Sequence, residues 1–425
     1  MTQTDRRPPR DLRGGLMLAL GFIASAGSLS TDMYLPAFPD IAEHFGAGTS
    51  AVQFTLTSFL IGSALGQLLI GAVSDAVGRR RTLVWAMIVF ALCCWGASLS
   101  PSLGVLIAVR GLQGFAGSAG AALTRAVVAD LAPKDRATRA FGVLWGIIAL
   151  SPAIANPLGA WLTSIGGWQL ALAGLAVLAT GMAVVAAATV PESLPAEQRH
   201  ALDVRGLTRN VVRLAAKPSF MGYALAFACS YGTLIAYLGT SSFIVEGLLG
   251  LPPIGYSITY TVTALAIMLG SWGAGRISHR VAPHVLLRAA QACLVLPASA
   301  VLLVLALTGT LTLAGYIPLT VVYALGAGAI MSTGSSIALG HSGAARGAGS
   351  ALLGLTQFTI GAIASPLGGI LGPGTAVPAF VTMTGFVAIG LGFALLGRRA
   401  ERRAAGVEEA AAEAPIEDVP PQAAV

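Results

Sequence analysis

The sequence predicts an all-α integral membrane protein, with twelve transmembrane helices in two pseudo-symmetric six-helix bundles. Three observations predict it. Hydrophobic residues make up 55% of the chain and charged residues only 10%, where a soluble chain carries about a quarter charged residues. Mean hydropathy is +0.79. Apolar runs of the roughly 20 residues needed to cross a bilayer recur along the whole chain, and the cations fall at alternate ends of those runs.

Twelve runs can be marked, near residues 14–38, 49–74, 82–100, 102–130, 139–162, 167–190, 218–240, 253–276, 285–309, 311–338, 347–371 and 376–397. The fourth is long enough to tilt or to project from the membrane. Glycine is abundant, at 53 residues, as expected where small residues let membrane helices approach closely.

All 25 Lys and Arg can be placed. They lie in an N-terminal arm (Arg6, Arg7, Arg10, Arg13), at Arg79–Arg81, at Lys134, Arg136 and Arg139, and in the connector 191–217. The rest lie at Arg276, Arg280 and Arg288, at Arg346, and in the tail (Arg398, Arg399, Arg402, Arg403). Arg125 ends the fourth run, and Arg110 alone lies inside one. Loops between an odd run and the next even one carry none. The positive-inside rule therefore predicts cytoplasmic termini and a cytoplasmic middle connector. The net charge of +7 follows from these flanks and implies no nucleic-acid partner.

The predicted organisation is an arm at 1–13, a bundle at 14–190, a polar connector at 191–217, a second bundle at 218–397 and a disordered tail at 398–425. The tail is rich in Ala, Glu and Pro. The basic N-terminus runs on without a clear A-x-A site, so no cleavable signal peptide is expected. Cys93, Cys94, Cys229 and Cys293 lie in apolar runs with neither metal nor disulfide-framework spacing and read as small core residues. His44, His200, His279, His284 and His341 fall in loop-like positions. No metal site, no cofactor and no direct ATP drive is expected, since no zinc spacing, nucleophile–His–acid grouping or GxxxxGK loop occurs.

The halves repeat one another. GQLLIGAVSDAVGRR (Gly66–Arg80) aligns with GSWGAGRISHR (Gly270–Arg280), matching Gly66 with Gly270, Gly71 with Gly275 and Ser74 with Ser278. NPLGA (Asn156–Ala160) aligns with SPLGG (Ser365–Gly369). Two such halves predict a site at their interface near the midplane, opened alternately to each side.

Four motifs resemble the major facilitator superfamily, and specifically its drug:proton antiporters with twelve transmembrane helices. GAVSDAVGRRR (Gly71–Arg81) resembles the superfamily's signature between helices two and three. RGLQG (Arg110–Gly114) resembles the helix-four motif of proton-coupled members. SPAIANPLGAW (Ser151–Trp161) is similar to the helix-five antiporter motif, with Asn156-Pro157 where Gly-Pro is usual. TDMYLPAFPDI (Thr31–Ile41) is the most diagnostic, resembling the bicyclomycin/chloramphenicol-resistance (Bcr/CflA-type) exporters. The resemblance covers Leu16 to Leu396. It implies the major facilitator fold and proton-coupled export from a bacterial-type plasma membrane. The partners implied are a small-molecule substrate, protons and lipid, with the chain acting as a monomer.

Each motif has more than one physical reading. In the loop, Gly71 would let helix two approach a neighbour. Asp75 would end that helix, Gly78 would permit the turn, and Arg79 and Arg80 would anchor the cytoplasmic side. The loop is either topological alone or a conformational latch, the family's aspartate engaging the start of helix eleven in the outward-facing state. Pro152, Asn156, Pro157 and Gly159 read either as tight packing or as a hinge, since proline in a helix bends its axis.

Asp32 and Arg110 each lie about 23–24 Å from the inner face at 1.5 Å per residue, so they share a level. Buried charges are seldom left unpaired, and each makes the other more intelligible. Asp32 reads either as an external helix cap before a Pro36/Pro39 turn or as a protonatable carboxylate facing a wet cavity. Arg110 stays charged and can modulate the proton but not carry it. Tyr34, Gln53, Gln113, Tyr231, Tyr237, Tyr323 and Gln357 are candidate substrate contacts in a largely apolar pocket, suited to amphiphilic compounds rather than sugars. The rivals to multidrug export are a dedicated exporter of one metabolite and an integral-membrane receptor or enzyme. The missing catalytic grouping counts against an enzyme and the short loops against a receptor.

Overall fold

The computed structural model describes residues 14–131, 137–199, 204–342 and 346–413. The described residues are helical almost throughout. Ten helices among them are long and apolar enough to cross a membrane, and the bent pair Gly14–Ala24 and Ala26–His44 makes an eleventh. One of the ten, Leu150–Thr189, spans 40 residues, about 60 Å if straight and twice the hydrocarbon thickness. Its parent helix, Ala137–Thr189, breaks at Gly166 and at Gly167, the latter with φ 69°. At this break the Asp40 carboxylate accepts from the Trp168 N–H at 2.6 Å. Further on, the Ala187 carbonyl accepts from Arg80 at 2.7 Å, at the other end of the bundle. The two arms therefore cross separately, and the count is consistent with twelve crossings.

Numbered along the chain, helix one is the bent pair, two is Thr49–Val77, three is Arg79–Ser98 and four is Leu103–Leu131. Helices five and six are the arms of Ala137–Thr189. Seven is Pro218–Leu248, eight Pro253–Ile277, nine Pro283–Leu307 and ten Leu313–Gly340. Eleven is Arg346–Leu367 and twelve Val377–Glu413. A connector helix, Val204–Ala215, packs on helices seven and eleven. The expected arm cations and Lys134 and Arg136 lie outside the described residues.

Two boundaries differ from the sequence reading. Helix one continues to His44 instead of ending near residue 38. Pro36 lies in the short 3-10 turn Leu35–Ala37, and Pro39 sits in the first turn of the next helical piece. A proline lacks the N–H that a helix start leaves unpaired anyway, so the chain restarts rather than turns away. The bend of 44° falls at Ser25, whose hydroxyl bonds back to the Gly21 carbonyl at 2.9 Å; such back-bonding often bends helices. Helix twelve runs to Glu413, because RRAERRAAGVEEAAAE is built of strong helix formers. Residues 414–425 lie outside the described residues.

The repeat is visible in the packing. Helix two lies along four, and eight along ten. A Cβ at Gly66 would collide with the Phe115 carbonyl, and one at Gly270 with the Leu325 carbonyl. The Ser74 hydroxyl donates to the Gly71 carbonyl and the Ser278 hydroxyl to the Gly275 carbonyl, both at 2.7 Å. The expectation for Gly71 is corrected. Nothing lies within 4 Å of a Cβ built there or at Gly275, and close approach is carried by Gly62 and Gly66 higher on the helix. Large side chains such as Trp85, Leu92, Trp272 and Ile370 are exposed, as lipid-facing residues must be.

The halves meet through helices two and eleven and through five and eight, a pseudo-symmetric pair of seams. At one seam the Ser50 hydroxyl donates to the Pro366 carbonyl at 2.6 Å, and the Thr57 hydroxyl to the Ala362 carbonyl at 3.1 Å. The Ser365 hydroxyl donates to the Gln53 carbonyl at 3.3 Å. At the other the Ser257 hydroxyl donates to the Asn156 carbonyl at 3.4 Å. These bonds gather at the end opposite the arginines, so that end is closed.

Alanine at Gly66 or Gly270 is expected to destabilise the protein by about 1–3 kcal/mol through overpacking, whereas alanine at Gly71 or Gly275 should stay within about 0.5 kcal/mol. Thermal unfolding of the purified variants checks this; equal losses at all four positions would refute the assignment of close packing.

Candidate functional site

Asp32 ends the second piece of helix one and is 4% exposed. Its Oδ1 accepts from the Tyr260 hydroxyl at 2.6 Å and from the Thr31 hydroxyl at 3.3 Å. Tyr260 belongs to helix eight, so the carboxylate of one half is held by a phenol of the other. The Asp32 backbone carbonyl accepts from Asn156 Nδ2 at 3.1 Å. Beside it, a Cβ at Gly159 would collide with the Met33 backbone. The helix-five motif therefore presses directly on the segment that carries Asp32, with Pro152 and Pro157 inside the same helix.

Arg110 is fully buried in helix four. Its Nη1 donates to the Ser30 carbonyl at 3.1 Å and to Gln113 Oε1 at 2.8 Å. Its guanidinium lies over the rings of Tyr34 at 4.4 Å and Phe59 at 4.5 Å. Such cation–π contacts strengthen when desolvated. Nε and Nη2 have no hydrogen-bond partner. The expected pairing with Asp32 is therefore not made. The two groups do adjoin in depth, since Arg110 grips Ser30. Asp32 lies two residues further on, about 200° around the helix, and faces helix eight instead.

The other candidate contacts divide into three groups. Tyr34 and Gln113 belong to the Arg110 nest: the Tyr34 hydroxyl donates to Thr55 Oγ1 at 2.8 Å, and Gln113 Nε2 to Cys94 Sγ at 3.0 Å. Gln53 is buried and crosses the seam, donating to the Gly239 carbonyl at 2.8 Å. Tyr237 and Tyr323 bond within the second half, to Thr263 at 3.1 Å and Thr233 at 2.9 Å, with their rings 5.7 Å apart. Tyr231 and Gln357 are half-buried, and Tyr231 stands edge-on to Phe358. Tyr260 escaped the sequence reading. The signal available was Tyr256 and Tyr260, one turn apart on a span whose opposite half carried an acid in need of a donor.

At the basic end, Asp75 pairs with Arg79 of the same loop at 2.6 Å rather than with helix eleven. The Arg79 N–H donates to Glu192 Oε1 at 2.9 Å, and Arg79 Nε lies 3.5 Å from Asp130 Oδ2. Gly78 has φ 111°, and a Cβ there would press on the Glu192 carboxylate. The loop motif thus ties helices two, three, four and six of its own half together. The Arg346 side chain lies outside the described residues.

Two like helical halves, closed at one end across a seam that holds a buried carboxylate, define a membrane transporter of the alternating-access type. A family model described as Major Facilitator Superfamily matches residues 20–366, and the chain belongs to that superfamily. An uncharacterized MFS-type transporter, YdgK, of Bacillus subtilis (strain 168) is 34% identical over 368 residues, 86% of this chain and 91% of its own length. A bicyclomycin resistance protein homolog of Haemophilus influenzae is 28% identical, covering 88% and 93%. Among solved structures, a bacterial homologue of the human lysosomal transporter Spinster shares the fold, with TM-score 0.73, 16% identity and coverage of 92% and 98%. The protein is a multi-pass membrane protein.

Arg110→Lys keeps the cation but loses the planar fork that spans Ser30, Gln113 and the two rings. It is expected to retain a fraction of transport, and Arg110→Ala none at equal abundance, measured as substrate efflux from cells. Equal activity of the two variants would remove the charge from the argument.

Proposed function

We propose that this protein is a proton-coupled exporter of small hydrophobic or amphiphilic compounds, working by alternating access with its basic face in the cytoplasm. One observation carries the proposal: the carboxylate of Asp32 is buried within an apolar helix long enough to cross a membrane and is held across the seam by Tyr260 of the opposite half. Ionisable groups at such depth are costly and mark ion pathways. A group bonded across the seam feels whether the halves are together, so its proton affinity and the conformation are linked. The resistance functions named for relatives of this chain, to bicyclomycin, chloramphenicol and several drugs, favour export of drug-like molecules.

Asp32→Asn keeps size and hydrogen bonding but cannot ionise. It is expected to abolish pH-driven efflux of cationic substrates while leaving the protein in the membrane. In purified protein, wild type should release protons on binding a cation, and the Asn variant should not. Undiminished release would move the proton site elsewhere.

The orientation rests on the cation distribution. Cysteines introduced after Arg398 and at Gly167 should label from the inside and the outside respectively; the reverse pattern would invert the molecule and the direction of transport.

The Gly71, Asp75, Gly78, Arg79 and Arg80 loop serves as a latch at the cytoplasmic end. With the opposite end closed, Asp75 rests on Arg79 and is available to helix eleven when the basic end closes. A screened contact of up to about 1 kcal/mol shifts a near-balanced equilibrium several-fold. Asp75→Asn should therefore impair transport more than abundance. Normal transport at equal abundance would leave the residue a purely topological role.

A further inference from the structure

The Asp32–Tyr260 bond couples two features that the transport cycle needs to separate. It closes one end of the molecule, and it occupies the only carboxylate oxygen of Asp32 for which a cross-seam donor is found among the described residues. At 2.6 Å the contact falls in the range of O–H···O hydrogen bonds, which the carbonyl oxygen of a neutral acid accepts as a carboxylate does. Resting on the proton-coupled export reading above, we propose that substrate opens the outer end by displacing the Tyr260 hydroxyl from Asp32, which makes lipophilic organic cations the substrate class coupled most directly to the conformational change.

Four features support the exchange. Asp32 sits among groups that offer little else to an anion. Asn156 gives its amide to the Asp32 backbone carbonyl. Arg110 faces Ser30, Gln113, Tyr34 and Phe59. Tyr231 of helix seven lies within electrostatic reach, and Tyr256 stacks obliquely on Tyr260 with ring centroids 6.0 Å apart. The titratable and charged groups around the carboxylate are thus Tyr260 and Tyr256 from helix eight, Tyr231 from helix seven, and Arg110 and Tyr34 turned to the other side of helix one.

A cation brought to Asp32 displaces the acid's proton to the cytoplasmic side and gains a full charge pair where the phenol gave one hydrogen bond, and the tyrosine faces nearby receive its apolar and cationic parts. Losing Tyr260 removes the bond between helices one and eight and leaves the longer Ser257–Asn156 bond, at 3.4 Å, to hold the seam between five and eight. Protonation restores the cycle: Asp32 takes one proton from the outer solution, becomes a neutral acid with no charge to hold the cation, and the substrate leaves. Tyr260 then closes on the neutral acid, and the proton stays on Asp32 until the next cation displaces it to the cytoplasmic side.

The test uses the full-length protein in nanodiscs with ethidium as the probe, and compares wild type with Tyr260→Phe, Tyr223→Phe and Asp32→Asn. Closure is read as the rate of disulfide formation between Thr57→Cys and Ala362→Cys, a pair across the seam of helices two and eleven, with Cys93, Cys94, Cys229 and Cys293 replaced by Ala. Tyr260→Phe should bind ethidium about tenfold tighter, because its competitor is gone, and should cross-link more slowly. Tyr223→Phe, whose hydroxyl donates to Glu401 at the basic end, should do neither. Weaker ethidium binding in Tyr260→Phe would make the hydroxyl a substrate contact and overturn the exchange, as would unchanged affinity and cross-linking. Ethidium binding by Asp32→Asn with normal proton release would instead sink the assignment of Asp32 as the proton site, a result separable from either outcome at Tyr260.

Discussion

A carboxylate at membrane depth has to be satisfied by protein, and Asp32 is satisfied by the half of the molecule to which it does not belong. Much of the architecture serves that constraint. Helix one bends at Ser25 and restarts at Pro36, which brings Asp32 to the seam without exposing it to lipid. Helix five presses Gly159 against Met33 and gives Asn156 to the Asp32 carbonyl, so the strand of backbone that carries the acid is held on two sides. Helix eight then supplies the phenol. A charge left unbonded here would cost several kcal/mol, and the bond from the opposite half that meets it crosses the seam.

The second buried charge is handled differently. Arg110 meets no carboxylate in this arrangement. It is spread over a carbonyl, an amide oxygen and two aromatic faces, all within the first half. None of these partners lies in the other half, whereas Asp32 takes one from there. The guanidinium holds the Ser30 turn from one side while the carboxylate looks out of the other. This arrangement lets a cation influence the acid through the helix it anchors, with no ion pair to lock the acid in one state.

Rigid halves are needed for such a seam to work. Within each half the glycine contacts at Gly62, Gly66 and Gly270 bring helix backbones together, and packing of this kind transmits displacement rather than absorbing it. Besides the Tyr260–Asp32 bond, the bonds found across the halves are side-chain hydroxyls and one amide on carbonyls, from Ser50, Thr57, Ser257, Ser365 and Gln53. Each is modest, about 0.5–1.5 kcal/mol net, and can be exchanged for water when the end opens. Tight glycine seams inside and small hydroxyl seams between are what a two-state bundle requires.

The sequence by itself determined the class, the two-half plan and the positions of both buried charges. These depend on apolar run length, on the placement of cations and on a residue-by-residue repeat, all of which are one-dimensional. The repeat was legible at Gly66 and Gly270 and at Ser74 and Ser278, where the structure gives matching contacts. Four things were decided by tertiary structure alone. Gly71 lies open because close packing depends on which turn of helix two faces helix four. Asp32 and Arg110 share a level yet do not pair, because depth follows from counting residues while facing depends on rotation about a bent helix. Asp75 meets Arg79 because loop closure at Gly78 sets its reach. Tyr260 meets Asp32 across 228 residues of sequence, a contact that no local pattern specifies, since it exists only where two separately folded halves are brought together.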